Sequence, residues 1–142
     1  AIKSPKYYFT DTGLLCYLLG IAQEGQVSRD PLMGSLFENL VVLEALKSRY
    51  NQGFTPGLYF FRDSQGNEID LLFKSGSALT GVEIKAAATW NRNFKKALLR
   101  FSEKLAKLSR TYVIYNGESI KFSDGVEALP YTQTSEIFSP TH

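Results

Sequence analysis

The stretch LYFFRDSQGNEIDLLFKSGSALTGVEIKA, residues 58–86, decides the fold. It holds three short apolar runs, LYFFR (58–62), EIDLLFK (68–74) and GVEIKA (81–86), parted by DSQGN and SGSALT. Connections this short, rich in Gly, Ser and Asp, predict turns between antiparallel strands, and so a three-stranded meander. Side chains alternate between the two faces of a strand. That rule puts Ile69, Leu71 and Phe73 on one face and Glu68, Asp70 and Leu72 on the other. In the third run it sets Val82 and Ile84 against Glu83 and Lys85. With the apolar faces together, Asp70, Glu83 and Lys85 converge on one side of the sheet.

Outward from the meander, helices are predicted on both sides. Gly34 to about Tyr50 reads as a helix, apolar around most of its circumference and ended by the turn region NQGFTPG. Asn91–Ser109 carries the clearest helical pattern, with Phe94, Leu98, Phe101, Leu105 and Leu108 spaced by three and four. TYVIYN (111–116) and SIKF (119–122) read as strands around a tight NGE turn, and the polar residues from Pro130 as a loose tail. Nearer the start, KYYFT (6–10) reads as a strand and Gly13–Ile21 as a short helix capped by Asp11 or Thr12. Residues 22–32 read as a loop. The order of elements predicts an α+β (mixed α/β) fold, a central sheet flanked by helices.

At 142 residues, 44% hydrophobic and 21% charged, the chain is sized and composed as one ordinary globular domain, residues 1–142. No run approaches the roughly 18 consecutive apolar residues of a membrane span, and no basic-plus-apolar leader is visible. A cytoplasmic protein with no membrane partner is expected. The single cysteine, Cys16, lies in the apolar LLCYLLGI and reads as a small buried hydrophobe, so no disulfide forms within the chain. The single histidine is His142, at the very end. That excludes His-rich zinc chemistry and any serine– or cysteine–histidine pair on a rigid element. Catalysis, if present, runs on carboxylates, lysine and a bound metal.

Asp70 and Glu83 with Lys85 meet that description. Gathered carboxylates repel one another unless a cation sits among them or a proton is taken up. Hard oxygen ligands favour Mg²⁺ or Mn²⁺. The chemistry that fits is phosphodiester hydrolysis, with a lysine orienting the attacking water and offsetting charge in the transition state. Glu38 offers a further ligand, because at helical spacing it shares a stripe with Val41, Val42 and Ala45 that faces protein. Glu44 reads as a surface residue paired with Lys47. The competing reading is bland: Glu-x-Lys with an upstream Asp arises readily by chance, as cross-strand pairs on solvated faces.

The segments GSLFENLVVLEAL (34–46), LYFFRDSQGNEIDLLF (58–73) and GVEIKAA (81–87), preceded by PKYYFTDTGLLCYLLG (5–20), resemble one family. It is the domain of unknown function that follows the ATPase module in many prokaryotic AAA-type proteins, and it is similar in layout to the PD-(D/E)XK nucleases. The resemblance spans roughly residues 5–105. It implies a restriction-endonuclease-like core in which Glu38 is the helix glutamate, Asp70 the strand aspartate, and Glu83 and Lys85 the Glu-x-Lys pair. Asp70, Glu83 and Glu38 would then be the metal ligands. Ile69-Asp70 stands where the superfamily's Pro-Asp would be. Within the same motif, Glu68 is a candidate accessory ligand and Arg62 a candidate phosphate contact, or each is a surface charge. The resemblance also makes the chain, which opens on Ala1, the C-terminal part of a longer ATPase whose nucleotide site lies upstream, since no GxxxxGK[ST] loop is present.

Charge is unevenly spread. Residues 90–110 carry Arg92, Lys95, Lys96, Arg100, Lys104, Lys107 and Arg110 against Glu103 alone, while the net charge of the whole is only +2. A positive face there suits a nucleic-acid backbone, with Arg92, Lys95, Lys96 and Arg100 nearest the Glu-x-Lys strand. It also suits an ordinary solvated helix. Trp90 either stacks on a base or anchors that helix to the core.

Overall fold

A computed structural model describes residues 31–53 and 57–138. The strand expected at 6–10, the helix expected at 13–21 and nearly all of the 22–32 loop lie outside the described residues.

Helix α1 runs Pro31–Asn51, beginning inside the expected loop and ahead of Gly34. Leu36, Phe37, Leu40, Val41, Leu43 and Ala45 are buried, and Glu44 pairs with Lys47 at 3.8 Å as expected.

Strands β1 (Tyr59–Arg62), β2 (Glu68–Ser75) and β3 (Ala78–Ile84) make the expected antiparallel meander. β3 starts earlier than the sequence suggested. Leu79 and Thr80 pair with Lys74 and Phe73, which shrinks the second turn to Gly76 and Ser77. Gly76, at φ 63°, supplies the left-handed backbone that such a tight hairpin requires.

The chain then crosses to a parallel strand. A 3₁₀ turn (Arg92–Lys95) and helix α2 (Lys96–Lys104) lead to β4 (Arg110–Tyr115), which lies parallel to β3. The expected helix over Asn91–Ser109 is therefore cut short at both ends. At its C-terminal end the N–H groups of Leu105 and Ala106 both turn back to the Phe101 carbonyl, and Leu108 N–H donates to Ser102 Oγ. Leu105 swings into solvent at 59% exposure, while Leu108 still reaches the core from irregular backbone.

Among the described residues, strands β5 (Ile120–Lys121) and β6 (Val126–Pro130) complete a six-stranded sheet in the order β1-β2-β3-β4-β6-β5. The two strands flanking the NGE turn do not pair with each other. β6, which the sequence reading missed, inserts parallel to β4 and leaves β5 antiparallel on its far side. Burial explains the choice, since Val126, Ala128 and Leu129 are buried and Ile120 is only half so. Nor are residues 131–138 loose, and residues 139–142 of the expected tail lie outside the described residues. A 3₁₀ turn (Tyr131–Gln133) and helix α3 (Thr134–Phe138) bury Ile137 and Phe138 in the core.

The result is a mixed α+β sandwich of three layers. α1 and α3 cover one face of the sheet through Leu71, Phe73, Val82, Ile84 and Ile114. α2 covers the other through Ile69, Leu98, Phe101, Leu108 and Val113. No helix among the described residues is long and apolar enough to cross a membrane.

Alternation fails in one place. Leu71 and Phe73 pack under α1, but Ile69 packs on the α2 side, so the three do not share the expected face. The cause is a register shift: Tyr59 opposes Leu72 and Phe61 opposes Ile69, so β2 carries one residue more than β1 between these pairs. A bulge of this kind bends the strand and re-aims a side chain. Asp70 sits in it.

Candidate functional site

Leu71 and Val82 are partners in the β2–β3 ladder, and Asp70 and Glu83 are the next residues along. Here side chains take over from the backbone. Asp70 N–H donates to Glu83 Oε1 at 3.0 Å, and Ile84 N–H donates to Asp70 Oδ2 at 2.8 Å. Lys85 Nζ lies 3.4 Å from Glu83 Oε2. Three of the four residues expected in the site are thus together.

Their environments differ. Glu83 is only 4% exposed, whereas the Lys85 side chain reaches solvent. Burial, and then the charge of Asp70, push the Glu83 carboxyl up to about 8, and Lys85 offsets this only in part. Near neutrality Glu83 keeps its proton or needs a cation beside it. Glycine at 81 lets α2 and the segment after it come close to this strand: a Cβ there would lie 2.8 Å from Leu108 Cδ1 and 3.0 Å from Leu98 Cδ2.

Glu38 stands apart from the pair. It is half-buried on α1, beside the buried Val41, Val42 and Ala45. α1 covers the face to which Val82 and Ile84 point, and Glu83, between them, points the other way. Among the described residues no three Asp, Glu, His or Cys side chains gather as a metal-holding group, so Glu38 does not complete a triad with Asp70 and Glu83.

The expected phosphate contacts divide. Lys95 is committed elsewhere, with Nζ 2.6 Å from Asp124 Oδ2 and 4.1 Å from the centre of the Phe122 ring. Arg62 Nε lies 3.0 Å from Glu68 Oε1, but the angle is not that of a hydrogen bond and the buried N–H makes none. Glu68 is therefore the ion partner of Arg62. Arg92, Lys96 and Arg100 are exposed, and Arg100 Nη1 donates to Asn67 Oδ1 at 2.9 Å. Trp90 packs on Phe94, Tyr115 and Phe122 as an anchor for the crossover.

One feature was not foreseen from the sequence. A pocket of about 170 Å³ opens between the DSQGN turn and α2, lined in part by Phe61, Asn67, Ala97, Arg100, Phe101 and Lys104. Glu68 and Ile69 also line it, whereas Asp70, Glu83 and Lys85 do not, so pocket and carboxylate pair are neighbours along β2 and not one cavity. The signal available beforehand was DSQGN itself, since an Asp two and four residues before backbone donors favours a side-chain-closed turn.

The DUF4143 family, described as a domain of unknown function, matches residues 33–134. An uncharacterized protein of Mycobacterium bovis is 36% identical over 135 residues, covering 92% of the chain. An uncharacterized protein of Mycobacterium tuberculosis matches with the same identity and coverage. The chain spans only 28% of the length of these curated relatives. No solved structure matches it.

Proposed function

We propose a function from one premise: the chain belongs to the DUF4143 family of domains of unknown function. In this reading it is a PD-(D/E)XK-like domain of an AAA-type ATPase and hydrolyses phosphodiester bonds of nucleic acid with Mg²⁺ or Mn²⁺. The observation that carries it is the Asp70–Glu83 pair, set at a strand bulge with Lys85 beside it. A fold gains little stability from burying one carboxylate against another, which supports a use for the arrangement.

The donors suit the ion. Mg²⁺ keeps several of its waters and takes one or two carboxylates together with substrate phosphate, so two protein ligands suffice. Asp70 and Glu83 would hold it, without the third carboxylate that Glu38 was expected to supply. When bound, the ion polarises the phosphoryl oxygen and lowers the pKa of a bound water. Lys85, whose side chain reaches solvent, would orient the attacking water and offset the charge that builds on the phosphoryl group. The exposed Arg92, Lys96 and Arg100 lead the backbone of the substrate to the pair. That the chain spans 28% of its relatives supports its working inside a longer polypeptide; in this reading an ATPase module lies upstream.

A second reading has its own support. A Glu83 that keeps its proton near neutrality turns the pair into a metal-free clasp between two strands. The domain then regulates or assembles the ATPase, or binds DNA without cutting it. Cleavage of single-stranded, duplex and branched DNA in Mg²⁺ or Mn²⁺ decides between the two. The nuclease reading expects metal-dependent cleavage that falls about 100-fold or more in Asp70→Asn and in Lys85→Ala. A folded wild type that cleaves nothing, alone or in the full-length protein, leaves the clasp.

A further inference from the structure

We propose that the pocket between the DSQGN turn and α2 takes one unpaired nucleobase, so that nucleic acid reaches Asp70 and Glu83 as a single strand or a splayed end. The inference rests on the nucleic-acid reading above and names the substrate form of that same site.

Size comes first. At about 170 Å³ the pocket is below the roughly 300 Å³ at which pockets begin to take a drug-sized ligand, and it suits one planar ring system. A closed duplex does not enter a cleft of that volume. One side of its wall is apolar and aromatic, and the other is polar: Phe61 and Phe101 meet edge to face at 5.0 Å between centroids, with Ile69 and Ala97 beside them. A flat ring with a π-face is what such a wall holds best, whatever its sequence.

Charge then selects the ligand. Two acids line the pocket: Asp63 keeps its negative charge, held in place by neutral donors, and Glu68 faces a cation. Asp63 Oδ1 accepts from the N–H groups of Gln65 and Asn67, and its Oδ2 accepts from Asn67 Nδ2. The Asn67 carboxamide and these N–H groups hold the Asp63 carboxyl below its usual range. Glu68 is the ion partner of Arg62. The cations across the pocket, Arg100 and Lys104, have no carboxylate within ion-pair distance among the described residues. An apolar slot rimmed by unmatched cations fits a base with its phosphate, and the Gln65 carboxamide adds a donor and acceptor for the base edge. Position completes the case, because Ile69 lines the pocket and the next residue is Asp70.

Fluorescence anisotropy tests this with a labelled oligodeoxynucleotide in EDTA, where nothing is cut. The wild type is expected to bind the intact single strand about tenfold or more tightly than its blunt duplex or an abasic strand of the same length. Ala97→Leu, which fills the slot, and Lys104→Ala on the exposed rim are each expected to lose that preference. Melting temperatures near wild type establish that both variants are folded, and Lys104→Ala reads the pocket should Ala97→Leu fail to fold. Equal affinity for all three probes, or a preference unchanged in both variants, overturns the proposal and leaves metal-dependent cleavage standing. A slot-dependent preference with no cleavage in Mn²⁺, alone or in the full-length protein, overturns the nuclease reading and keeps the pocket.

Discussion

Asp70 and Glu83 exchange roles across two strands: the backbone of Asp70 donates to the side chain of Glu83, while the side chain of Asp70 accepts from the N–H just after Glu83. Two carboxylates stand where two backbone carbonyls would close a ladder. The strands stay joined, but through groups that titrate and can bind cations.

The first consequence is a stability that falls as pH rises. The Glu83 carboxyl is raised from 4.5 to about 8, by burial and by Asp70. Below about pH 4.5 folded and unfolded chains both hold this proton, and its contribution is fully present. Between that value and about 8 the unfolded chain releases the proton and the folded chain does not, so stability declines across this window. Circular dichroism melts of wild type across the window should show a falling melting temperature, and Glu83→Gln should flatten the slope.

Removing Asp70 should have two opposite effects. Asp70→Ala takes the acceptor from Ile84 N–H, at a cost of about 1–3 kcal/mol in urea denaturation. It also removes the neighbouring charge that helps to raise Glu83. Carbon-13 NMR of the Glu83 carboxyl should therefore show a lower pKa in the variant than in the wild type. An unchanged pKa would leave burial as the whole cause.

Phe138 tests the end of the fold. Its ring is 2% exposed and lies 4.8 Å from that of Phe73. Phe138→Ala should cost about 3–5 kcal/mol, a core-sized loss, in chemical denaturation. A loose tail would lose almost nothing.

Lys95 separates positive charge from nucleic-acid contact. Burial works against the Asp124 carboxylate, yet hydrogen bonds from Lys95 and from Val126 N–H keep its pKa below the ordinary value. Lys95→Ala should cost roughly 1 kcal/mol of stability, because it breaks this pair and a cation–ring contact. It should leave oligonucleotide affinity within about twofold of wild type, whereas Arg100→Ala should weaken it by more.

Much of the sandwich was legible from periodicity. The meander followed from LYFFR, EIDLLFK and GVEIKA, and the convergence of Asp70, Glu83 and Lys85 followed from alternation. What alternation cannot supply is a break in itself, and the bulge at Asp70 moved Ile69 to the other face. Leu105 misled because it continues a helical spacing after the helix has ended, its backbone bonds having turned back to Phe101. VEALP was hidden by its own Glu and Pro, and became a strand because the far side of β4 needed covering. Ile137 and Phe138 were two apolar residues in a polar tail, too few to show a period. Lys95 looked like its basic neighbours because sequence does not display the Asp124 that claims it.

The pairing of α1 with α3 sets an order of events. These helices lie near opposite ends of the described chain and share one core, in which Ile137 and Phe138 meet Leu36, Phe37 and Leu40. On a ribosome, the apolar side of α1 emerges long before the residues that seal it. For that interval the helix has the sheet residues Leu71, Phe73, Val82 and Ile84 to lie on but lacks Ile137 and Phe138, which close the same core. A stop codon or a stall shortly after β6 would leave the sheet formed and α1 in place, without the part of the cover that α3 supplies.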